Sequence, residues 1–258
     1  MKRLIVNADD FGFTRDVNAG IIDAHTQGIL TATTLMANGD AFDDAVQLAH
    51  ANPSLDIGIH FVLIGGHSLL TGKPFPKDVP ELIRAVYAGE LDLYSEFAAQ
   101  ARKIKAAGIT PSHADTHKHT HLLPPVRRAL LTVAEEFQIP FVRRPADFGI
   151  SVRSPLKTAI VSFLARRMDL SPLRFTDHFA GFALTGRYSA NDLLALFAKL
   201  PDGVTELMTH PGHCTAELQN APTRLKESRA AELQALIAPQ TRTALENNHI
   251  TLTRYQNI

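Results

Sequence analysis

The sequence predicts a single α/β domain in which parallel strands form a barrel surrounded by helices. Short β-rich segments alternate with longer helical ones along the 258 residues, and this alternation is typical of parallel strands joined by helical crossovers. Seven or eight strand–helix units in about 250 residues favour a barrel over an open sheet. The apolar fraction of 45% is enough for one sizeable core, so we expect one domain over residues 1–258.

The first half of the chain contains four predicted strands. Runs rich in apolar and β-branched residues predict strands over residues 4–8, 31–37, 56–62 and 113–117. Helical periodicity predicts helices over 17–26 and 43–52, the second ended by Pro53, and two more between residues 80 and 107. The segment 64–111 is longer than a minimal crossover. We expect it to be an insertion that forms a lid, a substrate platform or an oligomer contact.

The second half continues the same alternation. Pro124 and Pro125 open the helix after the fourth strand, since proline is tolerated in the first helical turn. Further strands are predicted over residues 141–144, 175–180, 205–209 and 251–255. Helices are predicted over residues 156–168, 190–200, 226–236 and 241–247.

Composition excludes several classes of partner and site. Lys+Arg and Asp+Glu both number 26, so neither a nucleic-acid-binding tail nor a membrane-surface helix is expected. The single cysteine, Cys214, excludes an intramolecular disulfide and a cysteine-rich zinc site. The N-terminal segment MKRLIVNADD does not resemble a signal peptide, and no run approaches the roughly 18 apolar residues of a membrane span. We therefore expect a cytoplasmic protein without a nucleic-acid partner, and a homodimer is left open.

The most informative segment is HADTHKHTH, in which histidine or aspartate occupies every second position. Alternate side chains of an extended strand share one face, and a packing strand would place Val, Ile or Leu there. Five titratable groups on one face therefore predict a metal or proton-transfer site. The residues are His113, Asp115, His117, His119 and His121.

Other predicted strands also end in polar residues. The active sites of α/β barrels lie at the carboxyl ends of their strands, so these side chains are expected to converge on one mouth. The groups are Asn7, Asp9 and Asp10 after the first strand, His60 in the third, Arg143 and Arg144 in the fifth, and His210 and His213 after the seventh.

Each group taken alone also has a structural interpretation. Asp9 and Asp10 are suitable helix N-caps, and His60 would be an ordinary core histidine. Arg143 and Arg144 would be surface charges, and the segment HPGH would be a turn. The joint placement at strand ends favours the functional interpretation.

The chemistry open to these groups is narrow. Two imidazoles and one carboxylate leave open positions on a divalent ion, which suits Zn²⁺ or another transition metal. A second carboxylate beside the ion can serve as general base towards water. A nearby arginine holds that base ionised, and a histidine donates a proton to a leaving amine. The set describes the hydrolysis of an amide or ester.

Six segments of the sequence resemble the YdjC/ChbG/HpnK family of carbohydrate deacetylases. They span most of the chain in order, and NADDFG together with the histidine block is specific for this family. The segments are NADDFG (7–12), LMANG (35–39), GIHFVL (58–63), HADTHKHTHLLP (113–124), PFVRRP (140–145) and MTHPGH (208–213).

The resemblance implies a distorted, TIM-like (β/α) barrel and a function. The expected reaction is the metal-dependent removal of the acetyl group from an N-acetylated amino sugar. Known members act on chitooligosaccharides such as diacetylchitobiose, and others are linked to hopanoid glycolipids that carry an N-acetylglucosaminyl group. The segment at residues 65–83 resembles the hopanoid-linked branch more closely.

Residue roles follow from the same resemblance. It implies that Asp10, His60 and His117 bind the metal, with Asp9 as general base and His210 as general acid. It assigns the arginine beside the base to Arg143, although Arg144 stands where an apolar residue is common. The other polar residues of these motifs are expected behind the ligands or facing the substrate: Asn7, Asp115, His113, His119, His121 and His213.

Two alternatives and the identity of the metal stay open at this point. Magnesium is implied by the family, whereas two histidines and one aspartate favour zinc or another transition metal. A different metal-dependent barrel hydrolase or isomerase is one alternative. A non-catalytic sugar-binding relative is the other, although such a relative should have lost one of the five residues assigned to metal binding and acid–base chemistry.

Overall fold

The computed structural model describes residues 1–148 and 155–258 of the chain. Within these two ranges, eight strands form one parallel sheet. Their bounds are β1 Lys2–Phe11, β2 Ala32–Leu35, β3 Asp56–Phe61, β4 His113–Thr116, β5 Phe141–Val142, β6 His178–Ala180, β7 Gly203–Thr209 and β8 Ile250–Leu252.

Helices connect the strands and cover the outside of the sheet. They are α1 Arg15–Thr26, α2 Phe42–Ala51, α3 Val79–Tyr87, α4 Leu93–Ala106, α5 Pro124–Glu136, α6 Pro155–Arg166, α7 Ala190–Phe197, α8 Ala216–Asn220, α9 Glu227–Ile237 and α10 Pro239–Asn247. Two 3-10 helices, His117–Leu122 and Tyr255–Asn257, follow β4 and β8. In the described part of the chain, no helix is both long and apolar enough to cross a membrane.

The sheet curls into an incomplete barrel. Its strand order is β5-β4-β3-β2-β1-β7-β6, and β8 pairs with the beginning of β1. The two edges approach each other through single parallel bridges, between Phe141 and Arg174 and between Asp147 and Phe179. The predicted distorted α/β barrel is therefore confirmed, with its irregularity located between β5 and β6.

Local sequence explains where several helices begin. Thr14, Asp78, Asp92 and Ser189 each accept a backbone N–H of the first helical turn, which satisfies donors that have no partner within the helix. Pro124 begins α5, and its fixed φ suits that position. Each of these helices therefore has a start signal in its own sequence.

Several predicted strands differ in length from the structure, and for three of them the end of the strand can be explained. β4 ends at Thr116 because the chain turns into a 3-10 helix, with left-handed backbone at Lys118 and His119. β5 is only two residues long, and it ends where the path of the sheet becomes irregular. The last strand ends at Leu252, because the chain then folds inward and buries Tyr255.

The segment 64–111 contains α3 and α4 and is tied to the sheet by buried polar contacts. The Gln100 side chain accepts the Val62 N–H at 3.0 Å and donates to the Val62 carbonyl at 2.9 Å. Glu96, which is 3% exposed, accepts the Ser68 hydroxyl at 2.6 Å and the Leu69 N–H at 3.1 Å. These contacts attach the loop after β3 to α4.

Candidate active site

A bulge in β1 turns two consecutive aspartates towards the same site. Ala8 pairs with Thr33 and Phe11 with Leu35, so two residues of β1 oppose one residue of β2. Neighbouring residues of a regular strand would point to opposite faces, and the extra residue of a bulge removes that restriction. The irregularity takes a left-handed backbone at Asp10, with φ of 70°, a conformation that aspartate tolerates better than most residues.

Asp10, His60 and His117 bring three ligand atoms together. Asp10 Oδ1 lies 3.2 Å from His117 Nδ1 and 3.4 Å from His60 Nε2, and the two histidine nitrogens are 3.3 Å apart. His60 and Asp10 are buried, whereas 26% of the His117 side chain is exposed. These atoms form a near-equilateral triangle with access from one side, and the three residues make a cluster that could hold a metal ion.

The donor set fits a divalent transition metal. Asp10 Oδ1 is buried and has no hydrogen-bond partner among the described residues, which is costly for a carboxylate unless a cation completes the site. A tetrahedral ion about 2.0–2.1 Å from each donor holds the donors roughly 3.3 Å apart, close to the three observed distances. Asp9, His60 and Asp115 form a second cluster, but the carboxylates of Asp9 and Asp115 already contact other side chains.

His60 is fixed from behind by Asp115, its neighbour across the β3–β4 ladder. The His60 Nδ1–H donates to Asp115 Oδ1 at 2.6 Å, which directs Nε2 towards Asp10 and His117. Such a carboxylate partner sets the tautomer of a ligating histidine. Burial opposes a charge on His60, but Asp115 and Asp10 outweigh it and raise the pKa of His60 to about 10. The surroundings of His60 therefore favour positive charge.

Asp9 stands beside this cluster and is held by Arg143. Arg143 donates from Nη2 to Asp9 Oδ1 at 2.7 Å and from Nη1 to Oδ2 at 2.8 Å, while Asn7 donates its side-chain amide to Oδ1 at 3.1 Å. Burial opposes the negative charge of Asp9, but the guanidinium outweighs it and holds the pKa of the carboxyl well below its usual range. Asp9 is therefore a carboxylate at neutral pH.

Arg143 is the fully buried centre of a wider ion network. Its side chain is inaccessible to solvent, and it also donates from Nε to Glu206 Oε1 at 2.6 Å and pairs through Nη1 with Asp115. Arg144 points elsewhere, with its guanidinium 4.0 Å from the centre of the Phe175 ring. The structure thus places Arg143, rather than Arg144, against Asp9.

His210 follows β7 and lies next to Asp9. Its Nε2 is 3.9 Å from Asp9 Oδ2, and its Nδ1 is 4.0 Å from Glu232 Oε2. Glu232 also accepts the His210 backbone N–H at 2.6 Å. Burial lowers the pKa of His210 to about 4, against the opposing effect of Asp9 and Asp10. His210 is therefore a direct neighbour of Asp9, and burial favours the neutral form of its imidazole.

The histidine array does not lie on one strand face. Only His113 and Asp115 belong to β4, and the 3-10 turn after Thr116 sends the later histidines in different directions. The His121 Nε2–H donates to the Arg143 carbonyl at 3.1 Å, and its Nδ1 accepts the Thr116 hydroxyl at 2.6 Å. The prediction of five groups on a common face is therefore wrong, because the strand is shorter than the alternating pattern.

The other array histidines are buried too. His113 bonds Asn7 Oδ1 through Nε2 at 2.9 Å and stacks on Tyr255, so it supports the amide that contacts Asp9. His119 is 7% exposed and packs near the rings of Phe179 and Phe182. The side chains of His113, His119 and His121 are thus all buried, and none of them points to bulk solvent.

His213 is not brought to the cluster. Its Nε2 lies 2.8 Å from Asp23 Oδ2 on α1, and both side chains are about two-fifths exposed. Its backbone N–H donates to the Asp16 carbonyl. His213 therefore does not lie behind the ligands or beside the other site residues, as predicted, but forms a pair with Asp23 at the surface.

Comparison with known proteins places the whole chain in one family. A family model described as YdjC-like protein matches residues 3–247. The chain belongs to the YdjC-like family. A Brevibacillus brevis protein named carbohydrate deacetylase is 33% identical over 99% of each chain. Another from Listeria innocua, carbohydrate deacetylase 2, is 36% identical over 99% of this chain and 98% of its own.

A solved structure supports the same grouping. The crystal structure of an Enterococcus faecalis protein, described as a cellobiose-phosphate cleavage protein, matches with a TM-score of 0.79 and 26% identity, over 99% of this chain and 98% of that one. The family resemblance of the six motifs is thus confirmed, as is the expectation that the chain is an enzyme of this family.

Sequence reasoning missed three charged residues of this YdjC-like site. Arg229 and Glu232, both 1% exposed, come from α9 and contact Asp10 and His210, while Glu206 comes from the middle of β7. A signal was available for each of them. Arg229 and Glu232 share the buried helix face with leucines, and Glu206 interrupts an apolar strand.

Proposed function

We propose that this YdjC-like protein is a metal-dependent hydrolase that removes the acetyl group from an N-acetylated amino sugar. The observation that carries the proposal is the triangle of Asp10, His60 and His117, whose central carboxylate oxygen lacks a partner among the described residues and which stands beside Asp9 and His210. The full-length relatives named carbohydrate deacetylases support the choice of a sugar substrate.

Asp10, His60 and His117 would hold the ion, which when bound would polarise the acetyl carbonyl and make water a stronger acid. Two imidazoles and one carboxylate favour zinc, cobalt, nickel or manganese by ligand chemistry, while the family resemblance implies magnesium. The donor separations of 3.2–3.4 Å support a low-coordinate transition metal.

Asp9 would take the proton from the attacking water. Its carboxylate is ionised at neutral pH, and Arg143 and Asn7 fix its orientation. A bidentate contact with the buried guanidinium leaves the carboxylate little freedom to turn, so the base is already in position before substrate binds. Since the pKa of Asp9 is held well below its usual range, the base stays active in mildly acidic solution.

His210 would protonate the departing amine. Because burial keeps its imidazole neutral, His210 must first receive a proton, and Asp9 Oδ2 is 3.9 Å away from its Nε2. One proton would therefore pass from water through Asp9 to His210 and on to the sugar nitrogen as the C–N bond breaks. The general acid therefore does not have to be protonated before the substrate binds.

An exposed apolar face of α6 favours a lipid-linked sugar over a free oligosaccharide. The helix packs against the 3-10 helix that begins with His117, and it carries basic residues without an acidic one. An acyl or polycyclic lipid would cover apolar side chains that water otherwise contacts. The exposed residues are Leu156, Ile160, Phe163 and Leu164, at 47–74%.

The decisive experiment is acetate release from a panel of GlcNAc-containing substrates, with and without a chelator. The panel includes soluble chitooligosaccharides and an N-acetylglucosaminyl lipid. His117→Ala should abolish both activity and metal binding, whereas His213→Ala, which alters a histidine in a surface pair, should leave both intact. Chelator-resistant acetate release, or full metal occupancy of His117→Ala, would refute the proposed metal site. A protein that binds the metal and the sugar without releasing acetate would be the non-catalytic alternative.

A further inference from the structure

The fully buried Arg229 contacts the proposed metal ligand Asp10 from the side opposite the histidines. Its Nη2 donates to Asp10 Oδ2 at 2.5 Å, and its Nε donates to the Leu225 carbonyl at 3.3 Å. The Nη1 group is buried and has no hydrogen-bond partner in the described parts of the chain. A charged group this deeply buried is costly unless it is paired. The carboxylate of Asp10 is the acidic partner that Arg229 contacts.

The surrounding backbone holds the Arg229 side chain in place. The Gly212 N–H donates to the Arg229 carbonyl at 3.2 Å. A Cβ at Gly212 would lie 3.2 Å from Arg229 Cδ, and one at Gly20 would lie 2.4 Å from the Gly212 Cα. The loop after β7 therefore closes over Arg229 and packs it against α1. The guanidinium has little freedom to leave Asp10.

The two oxygens of the Asp10 carboxylate face different partners. Oδ1 faces His60 Nε2 and His117 Nδ1, at 3.4 and 3.2 Å, while Oδ2 is already bonded to Arg229. Asp10 can thus offer one oxygen to an ion and cannot turn to offer both. The positive charge of Arg229 also offsets the one negative charge among the three ligands.

We infer that Arg229 is a positioning residue that sets the metal selectivity of this site, an inference that rests on the proposed metal centre. Hard cations such as Mg²⁺ and Ca²⁺ are bound mainly by oxygen ligands and by uncompensated carboxylates. Zn²⁺ and Co²⁺ accept two imidazoles and one carboxylate oxygen in a four-coordinate shell. Arg229 blocks Oδ2 and offsets the charge of Asp10. It therefore weakens the binding of Mg²⁺ and Ca²⁺ while the site still binds Zn²⁺ and Co²⁺.

Metal titration of the purified apoprotein tests the inference without measuring activity. Co²⁺ is followed by its visible absorption, whose intensity distinguishes four-coordinate from six-coordinate ions, and Mg²⁺ is followed by calorimetry. The wild-type protein should bind Co²⁺ far more tightly than Mg²⁺ and give an intense, four-coordinate spectrum. Weak six-coordinate bands, or equal affinities for the two ions, would overturn the inference even if every variant failed to fold.

Two variants separate selectivity from simple structural support. Arg229→Met should lower the Co²⁺ affinity by about 10- to 100-fold, as loss of a partner behind a ligand commonly does. It should not lower the Mg²⁺ affinity, because Asp10 Oδ2 becomes free to bind an ion that prefers oxygen ligands. Arg229→Gln retains one donor for Oδ2 and should stay closer to the wild type. An equal loss for both ions would show that Arg229 only supports the fold.

The control is Arg242→Met, because Arg242 is a partly buried arginine that donates to the Gly28 carbonyl, away from Asp10. It should leave both affinities unchanged. A wild-type protein that binds no Co²⁺ at all would refute the proposed metal centre itself. A wild type that binds Co²⁺ selectively, with the same selectivity in Arg229→Met, would refute only the role of Arg229.

Discussion

Replacement of Arg143 should damage the fold as well as the reaction. Three carboxylates surround its guanidinium, those of Asp9, Asp115 and Glu206, and its side chain is inaccessible to solvent. Arg143→Ala would leave these acids buried without their cation. Burial raises the pKa of Glu206, so this acid can take up a proton and lessen the cost. Even then, at least one of the other two carboxylates, Asp9 or Asp115, would remain buried without a cationic partner.

The magnitude follows from that pair. Breaking one buried ion pair from one side costs roughly 3–5 kcal/mol. At about 2–4 °C per kcal/mol for a chain of this size, the melting temperature should fall by roughly 6–20 °C. Arg144→Ala is the matched control, because Arg144 lies over the ring of Phe175 and forms no ion pair with any residue that the structure describes. Its loss should cost less than about 1 kcal/mol.

Differential scanning calorimetry and acetate release on the two variants check the reasoning. Arg143→Ala should lose stability and turnover together, whereas Arg144→Ala should keep both. Arg143→Lys retains a charge but cannot make the bidentate contact, so it should recover part of the stability and little of the turnover. Equal melting temperatures for the two alanine variants would show that the buried network does not stabilise the fold as argued.

Three further perturbations test other parts of the site and fold. His210→Ala should slow release from an N-acetyl sugar by about 10²- to 10⁴-fold, the usual contribution of a general acid. It should slow release from an activated acetyl ester far less, and equal losses would argue against a proton donor. Gly58→Ala should destabilise the protein by about 1–3 kcal/mol in urea unfolding, because the added Cβ would lie 2.6 Å from both the ring and the backbone carbonyl oxygen of His113; wild-type stability would show that the backbone of β4 can shift to make room. Burial raises the pKa of Asp147 from 3.8 to about 6, so the folded state holds this proton more tightly than the unfolded state. Its contribution to stability is therefore complete below pH 4 and is lost as the pH rises to 6, by about 3 kcal/mol. Urea unfolding of Asp147→Asn should lack this component, and parallel pH profiles of variant and wild type would contradict the assignment.

The sequence by itself determined the fold class and the identity of the residues at the mouth. Strand–helix alternation is a local signal, since periodicity and proline positions act over a few residues. Polar side chains at strand ends converge in any parallel barrel. Asp10, His60 and His117 were therefore predictable as neighbours from residues that lie up to 107 positions apart in the sequence.

The histidine array shows where the local signal failed. Alternation over residues 113–121 predicts one long strand, but β4 has only four residues and the chain then turns. The length of a strand depends on its partners, and β5 offers β4 only Phe141 and Val142 for pairing. Tertiary structure thus directed His121 to the Arg143 carbonyl and His119 into an aromatic cluster.

Tertiary structure alone decided how the charges are paired and which of them titrate. Arg229 and Glu232 reach the site from a helix far along the chain, and no local pattern specifies that Arg229 will contact Asp10 or that Glu232 will contact His210. Whether His210 is charged depends on its burial and on the acids and arginines around it. Burial and long-range Coulomb interactions are properties of the packed molecule. The order of residues determines which groups are available, and only the packing of β1, β7 and α9 brings them within a few ångströms of each other.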